Sequence, residues 1–154
     1  MVCAGFGTIR GKGERSEEGD MASVLRQAHA WIAWLFVGSI VVQVFLAGAA
    51  IANLGGSGNF DAHAAFGYEA VGIIALALLV TAIAARTGRR NIAISVGLFV
   101  LYIVQTILPN MRDSVPSLAA LHPLNAMILF VLAIWYARVA WRNRNAAVPA
   151  PATL

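Results

Sequence analysis

The sequence contains little charge, and this excludes most soluble folds. Only 12% of its 154 residues are Asp, Glu, Lys or Arg, whereas 60% are hydrophobic and the mean hydropathy is +0.75. A water-soluble domain carries about 25% charged residues. Because a chain of this length is normally one domain, the composition predicts a small integral membrane protein and argues against a soluble enzyme.

Cysteine is almost absent as well. The single cysteine, Cys3, has no second thiol in the chain with which to form a disulfide. Neither a C-x-x-C-H nor a C-x-x-C motif occurs, so covalent haem attachment and thiol redox chemistry are set aside. No G-X-Y period is present, which excludes a collagen-like chain.

Four apolar segments are long enough to cross a bilayer, for which a helix needs roughly 20 residues. They run from about Ala28 to Ala52, Ala62 to Ala85, Asn91 to Leu108 and Leu118 to Trp141. The two-residue alternation of a membrane β-barrel is absent from them. The sequence therefore predicts an all-α, integral membrane, four-helix up-and-down bundle.

Basic residues predict the orientation of this bundle. Of eleven Lys and Arg, four precede the first predicted helix, three lie between the second and third, and three close the fourth. The remaining one, Arg112, lies in the other pair of loops. Because basic loops stay in the cytoplasm, we expect cytoplasmic N and C termini in a bacterial inner membrane. No clustered soluble basic patch indicates nucleic-acid binding.

The ends of the chain differ from its centre. Residues 1–25 are glycine-rich and of mixed charge, which predicts a disordered N-terminal tail. Residues 143–154 are predicted to form a disordered C-terminal tail, and the membrane domain is predicted to span residues 26–142. Two alternatives remain open: Met21 is the translation start, or the first helix is a signal peptide cleaved near Ala47–Ala49.

Polar residues within the apolar segments are few, and each is energetically expensive there. They are His29, Gln43, His63, Glu69, Gln105, His122 and Asn125. His63 and His122 begin the two even-numbered helices, so both are expected near the outer membrane face. Two histidines at one depth on different helices are suited to holding a single haem b, since neutral imidazole is a common axial ligand.

Neighbouring residues are consistent with this haem. Gly67 and Ala126 each follow a histidine by four residues, hence on the same helical face, and would give the porphyrin room; close helix packing is the alternative. Arg112 would meet the haem propionates, or be a solvated loop charge beside Asp113. The histidines themselves have two other interpretations: a hydrated interfacial role, or a metal site with Asp61.

Further polar and aromatic residues receive structural interpretations. Asp61 is expected to cap the second helix, and Glu69 to hydrogen-bond to Gln43 or Gln105. Pro123 requires the fourth helix to begin near His122 or to kink there. An aromatic belt at the cytoplasmic interface is expected from Trp31, Trp34, Trp135, Tyr136 and Trp141. No residue receives a catalytic role.

Three segments carry a resemblance to known families. They are Gln43–Gly48, Phe60–Tyr68 and Leu121–Ala126. Over about Arg26 to Arg142 the chain resembles an uncharacterised family of four-helix bacterial membrane proteins, which implies an architecture but no activity. More distantly, it resembles one four-helix half of haem A synthase.

The resemblance to haem A synthase implies which residues bind haem. In that family, histidines near the outer ends of the second and fourth helices of each half hold haem. His63 with Gly67 matches its H-x-x-x-G motif, and His122 matches its second ligand. Phe60 and Ala64 stand where that family has Glu and Arg, which argues against substrate oxidation. Only one half is present, so two haem sites would require a homodimer.

Three functions are compatible with these observations. The first is a small b-type cytochrome, either transferring electrons from a quinone or serving as a haem-holding subunit. The second is a cofactor-free accessory subunit of a larger membrane complex. The third is a small transporter built around Glu69; it is less favoured, because transporters often contain internal repeats and the first two helices do not visibly recur in the last two.

Overall fold

Four long helices make up the protein. The computed structural model describes residues 12–56 and 58–145, with side chains from Gly19 onward. The helices are α1 (Lys12–Ile51), α2 (Asp61–Ala84), α3 (Arg89–Ile107) and α4 (His122–Asn143). A 3₁₀ turn, Leu108–Met111, extends α3, and a helical turn, Pro116–Ala119, precedes α4. The described residues contain no strand, which confirms the all-α prediction.

The helices form a closed ring. Each packs principally against its neighbours along the chain, and α4 also packs against α1. Helix α1 is therefore diagonal to α3, and α2 to α4. Small side chains such as Ala33, Ala75, Ala133 and Ala137 are buried in the centre, where they let membrane helices approach closely.

The outside of the bundle is apolar. All four helices are long and apolar enough to cross a membrane. In the most apolar stretch of each helix, at most 28% is buried inside the bundle. Large hydrophobic side chains such as Phe45, Ile73 and Val131 are more than 60% exposed. Helices that are hydrophobic all round require either a larger protein core or lipid around them. The fold is thus a four-helix bundle of the multi-pass membrane type.

The first helix is longer than predicted. It begins at Lys12, so the expected disorder of residues 1–25 is wrong from Lys12 onward. The segment contains no proline and several good helix formers, such as Glu14, Arg15 and Glu17, which allow the helix to continue beyond its apolar part. Residues 1–11 and 146–154, which make up part of the first predicted tail and most of the second, lie outside the described residues.

The starts of α2 and α4 settle two local predictions. Helix α4 begins at His122 with Pro123 in its first turn, where a missing N–H breaks no helical hydrogen bond. The predicted cap by Asp61 is wrong. Phe60 occupies the N-cap position, and the Asp61 carboxylate instead accepts a hydrogen bond from the Asn59 amide at 2.6 Å.

Candidate functional site

His63 and His122 lie next to each other at one end of the bundle. We call this the His63 end; there α1 and α3 finish and α2 and α4 begin. The two imidazole centroids are 6.2 Å apart, with an angle of 72° between the ring planes. Because α2 and α4 are diagonal in the ring of helices, the histidines meet across the interior. Both are half-buried.

A backbone carbonyl fixes the tautomer of each histidine. His63 Nδ1 lies 3.0 Å from the carbonyl oxygen of Gln43, and His122 Nδ1 lies 3.0 Å from that of Gln105. A carbonyl only accepts hydrogen bonds, so both Nδ1 atoms carry the proton and donate. In the neutral imidazole the lone pair is then on Nε2, the atom free to bind a metal. The two sites are built alike, each from a glutamine of one helix and a histidine of the next.

The His122 side is fully hydrogen-bonded. Gln105 Nε2 lies 3.1 Å from His122 Nε2 and donates to its lone pair. Asn125, which is buried, donates to Gln105 Oε1 at 2.7 Å and to the Leu101 carbonyl at 3.0 Å. The sequence identified Gln105 and Asn125 as polar but assigned them no place beside His122.

The His63 side is less complete. Gln43 Nε2 donates to the His63 carbonyl at 2.7 Å, but Gln43 Oε1 is buried with no hydrogen-bond partner among the described residues. The amide lies against Gly67, where an added Cβ would be 2.5 Å from Gln43 Nε2. The space above Gly67, predicted for a porphyrin, is thus taken by this amide. Ala126, the counterpart of Gly67, is half-buried.

A π turn interrupts α2 just below His63. It spans Gly67–Val71, and the Tyr102 hydroxyl of α3 donates to the carbonyls of Gly67 and Tyr68 at 3.2 and 3.3 Å. The same hydroxyl lies so close to Gly72 that a Cβ there would be 2.5 Å from it. π turns frequently occur at functional sites. Sequence periodicity did not predict this one.

Arg112 and Glu69 are exposed, and among the described residues neither makes a hydrogen bond to His63 or His122. Arg112 is exposed after the 3₁₀ turn, and the described residues show no side-chain hydrogen bond from it. Its proposed contact with propionates stays a prediction. Glu69 is exposed on the outside of α2. Its predicted hydrogen bond to Gln43 or Gln105 is wrong, because the Gln43 amide instead donates to the His63 carbonyl and the Gln105 amide to His122 Nε2.

A second polar cluster lies at the opposite end of the bundle, which we call the Arg86 end after the loop between α2 and α3. His29, only 2% exposed, contacts the hydroxyls of Thr81 at 3.0 Å and Tyr136 at 2.9 Å. Ser95 also lies 2.8 Å from the Tyr136 hydroxyl. One side chain from each helix therefore takes part.

Sequence reasoning missed this second cluster. Tyr136 was assigned to the aromatic belt, but it is 1% exposed and belongs to the core, so that assignment is wrong. Hydroxyl residues carry no strong hydropathy signal, and the pairing depends on how four helices face one another. Trp31 and Trp135, by contrast, are exposed as an aromatic belt requires.

The described residues contain no group of three or more His, Cys, Asp or Glu side chains that could hold a metal ion. Protein zinc and copper sites use three or four ligands. The alternative of a metal site completed by Asp61 therefore has no structural support.

Comparison with known proteins gives one finding. A family of unknown function (DUF6220) matches residues 43–111, which include His63, Gly67 and Gln105 but not His122 or Asn125. The expected similarity to a family without an assigned activity is confirmed. No curated protein and no solved structure matches the chain. The resemblance to haem A synthase stays a prediction.

Proposed function

We propose that this protein is a small membrane b-type cytochrome in which His63 and His122 hold one haem. The observation that carries the proposal is the shared arrangement of the two histidines. Each donates its Nδ1–H to a backbone carbonyl, the second-shell contact that metal-ligating histidines almost always make. Each neutral imidazole thereby carries its lone pair on Nε2, and that of His122 accepts a hydrogen bond from Gln105.

The spacing of the rings supports the same proposal. If His63 and His122 each held one metal ion through Nε2 at about 2 Å, their imidazole centroids would be at most roughly 6 Å apart. The centroids of His63 and His122 are 6.2 Å apart. A two-histidine donor set suits haem, whose porphyrin supplies the other four ligands, better than zinc.

Gln43 and Gln105 would have to move for haem to bind. Gln43 is held by one hydrogen bond, and its buried Oε1 has no hydrogen-bond partner among the described residues, so displacing its amide from Gly67 breaks a single hydrogen bond, worth about 1 kcal/mol. Gln105 gives up its bond to His122 Nε2 while keeping that from Asn125. The backbone carbonyls of both glutamines stay in place and keep the two imidazoles oriented.

Bound in this way, haem would supply one-electron redox chemistry, and two histidine ligands leave no open iron position for oxygen. We therefore favour electron transfer, with a quinone or a larger membrane complex as partner, or a haem-holding role. A homodimer would provide two haems.

An absorption spectrum of the detergent-purified full chain, made with ample haem, tests the proposal. We expect a Soret band, and sharp low-spin bands after dithionite reduction. His63→Ala and His122→Ala should each abolish the low-spin spectrum. His29→Gln is the matched control, because it changes the histidine at the Arg86 end and should leave the spectrum intact. Colourless wild-type protein, or a double histidine variant that keeps the Soret band, would refute haem binding.

A cofactor-free accessory subunit is the second candidate function. It is favoured by the hydrogen bond between Gln105 Nε2 and His122 Nε2 and by the Gln43 amide over Gly67, because these contacts join helices without any ligand. It predicts colourless protein that co-purifies with a larger complex.

We further propose that the His63 end faces outward from a bacterial inner membrane and that both termini are cytoplasmic. The support is the distribution of charge. Ten of the eleven basic residues lie within residues 10–26, 86–90 and 138–144, and one, Arg112, lies between α3 and α4.

A further inference from the structure

The π turn Gly67–Val71 of α2 is bonded to the neighbouring helix α3. In the haem proposal it has no role, although a neighbouring tyrosine hydroxyl is bonded to the two carbonyls at its start. A π turn accommodates one residue more than an α turn. Comparing α2 with the uninterrupted helix α4 identifies that residue.

The two histidine-bearing helices have the same exposure pattern. From His122 to Leu129 the residues are half-buried, exposed, exposed, buried, half-buried, exposed, exposed and buried. From His63 to Glu69 the pattern is the same except that Phe66 is half-buried rather than buried. Ala70 then has no counterpart, and Val71 is buried like Leu129.

After the π turn, α2 and α4 bury residues at the same spacing. Each of the four buried residues of α2 has a buried counterpart in α4 58 positions later, whereas the two histidines are 59 positions apart. The pairs are Val71 with Leu129, Ala75 with Ala133, Leu78 with Tyr136, and Ala82 with Ala140. Ala70 is therefore the additional residue in α2.

Helices α1 and α3 repeat in the same way. Each of the three buried residues of α3 lies 62 positions after a buried residue of α1: Ser95 after Ala33, Leu98 after Phe36, and Tyr102 after Ile40. Gln43 and Gln105 are also 62 apart, and each accepts a hydrogen bond from the histidine of the next helix. The first two helices do not visibly recur in the sequence of the last two, but part of their contacts and exposure does recur.

We infer that the bundle is a repeated helical hairpin, that Ala70 is a one-residue insertion in its first copy, and that Tyr102 positions His63 by holding the resulting π turn. Tyr102 acts on the backbone through its hydroxyl and is a positioning residue. The inference rests on the proposed function only where haem is used to detect it.

The geometry explains why the π turn matters for His63. If α2 were a regular α-helix of the same length, the segment Asp61–Phe66 would rotate by about 100°, the angle of one residue at 3.6 residues per turn. Ala64, seven residues before Val71, would then occupy the place that His122 occupies seven residues before Leu129. His63 would turn away from its partner.

Cysteine cross-linking measures this rotation without haem. In the full chain with Cys3→Ser, one variant pairs His63→Cys with His122→Cys and a matched variant pairs Ala64→Cys with His122→Cys. A short bis-maleimide should join the first pair in preference to the second. Adding Tyr102→Phe should shift the ratio of the two yields toward position 64 by roughly fivefold, the effect of losing about one hydrogen bond.

Deletion of Ala70 provides the suppressor. It removes the insertion, so α2 becomes a regular helix with His63 seven residues before Val71. In the variant that lacks only Ala70, the cross-link between positions 63 and 122 should persist. When the deletion is added to Tyr102→Phe, the preference for position 63 over position 64 should be restored. An unchanged yield ratio in Tyr102→Phe, or loss of the position-63 cross-link on deleting Ala70, overturns the inference. If Tyr102→Phe does not fold, the deletion alone decides.

Haem spectra separate this inference from the proposed function. If haem binds, Tyr102→Phe should lower the low-spin fraction and deletion of Ala70 should restore it. A cross-linking shift in protein that never binds haem supports the positioning role and refutes only the cytochrome. Normal haem binding with no cross-linking shift would support the cytochrome and refute the positioning role of Tyr102.

Discussion

The imidazole of His29 and the hydroxyl of Tyr136 lie 2.9 Å apart in the buried interior, joining the first helix to the last. Thr81 donates its hydroxyl proton to the Ala77 carbonyl at 2.7 Å and so accepts from His29 Nδ1. His29 Nε2 accordingly accepts from the Tyr136 hydroxyl when the ring is neutral, and the Asn91 carbonyl, 3.2 Å from that hydroxyl, is its second acceptor. Tyr136 in turn accepts from Ser95. Every hydrogen-bonding group in this chain of contacts is satisfied.

Tyr136→Phe should destabilise the bundle. It leaves the buried His29 Nε2 and the Ser95 hydroxyl without their shared partner, which is worth roughly 1–3 kcal/mol of unfolding free energy. Thermal or denaturant unfolding in one detergent measures the loss, with Trp135→Phe on the exposed face as control. Any haem spectrum should be unchanged, because His122 is 14 residues along α4, about 21 Å away at 1.5 Å per residue. Equal stability of the two variants would contradict the assignment.

Gly67→Ala should lower stability, although alanine favours helices. The new Cβ would lie 2.5 Å from Gln43 Nε2 and force the amide off the His63 carbonyl, a loss of about 1 kcal/mol or more. Gly97→Ala is the matched control, since a Cβ there meets nothing within 4 Å. The control should gain up to about 1 kcal/mol from helix propensity. The difference between the two unfolding midpoints is the measurement, and a gain in both would show that Gln43 is not held over Gly67.

Gln105→Leu should strengthen haem binding if the cytochrome proposal holds. The substitution removes the amide from His122 Nε2 but keeps the backbone carbonyl that accepts from Nδ1. Haem then binds without first breaking the hydrogen bond between Gln105 and His122, which corresponds to a two- to tenfold gain in affinity for haem. Haem titration of apoprotein measures it, with the exposed Ile107→Leu as control. A fall in affinity would instead make Gln105 a residue that orients the ligand.

Reporter fusions should confirm the orientation. After Leu154, a reporter that works only in the cytoplasm should be active and one that works only outside it should be inactive. After Asp113 we expect the opposite. Basic residues retained in the cytoplasm are the physical reason. The opposite result at both sites would place the His63 end inside.

The sequence by itself determined the number of membrane helices, their class and the placing of the two histidines, since α2, α3 and α4 begin and end within a few residues of the predicted limits. These properties depend on local composition and helix length. Tertiary structure alone decided that Tyr136 is a core residue, that Gln43 covers Gly67, and that Tyr102 is bonded to a π turn. Each of these is a contact between helices. A helix that is apolar all round gives no periodic signal of which face turns inward, so only the packing of all four helices fixes it.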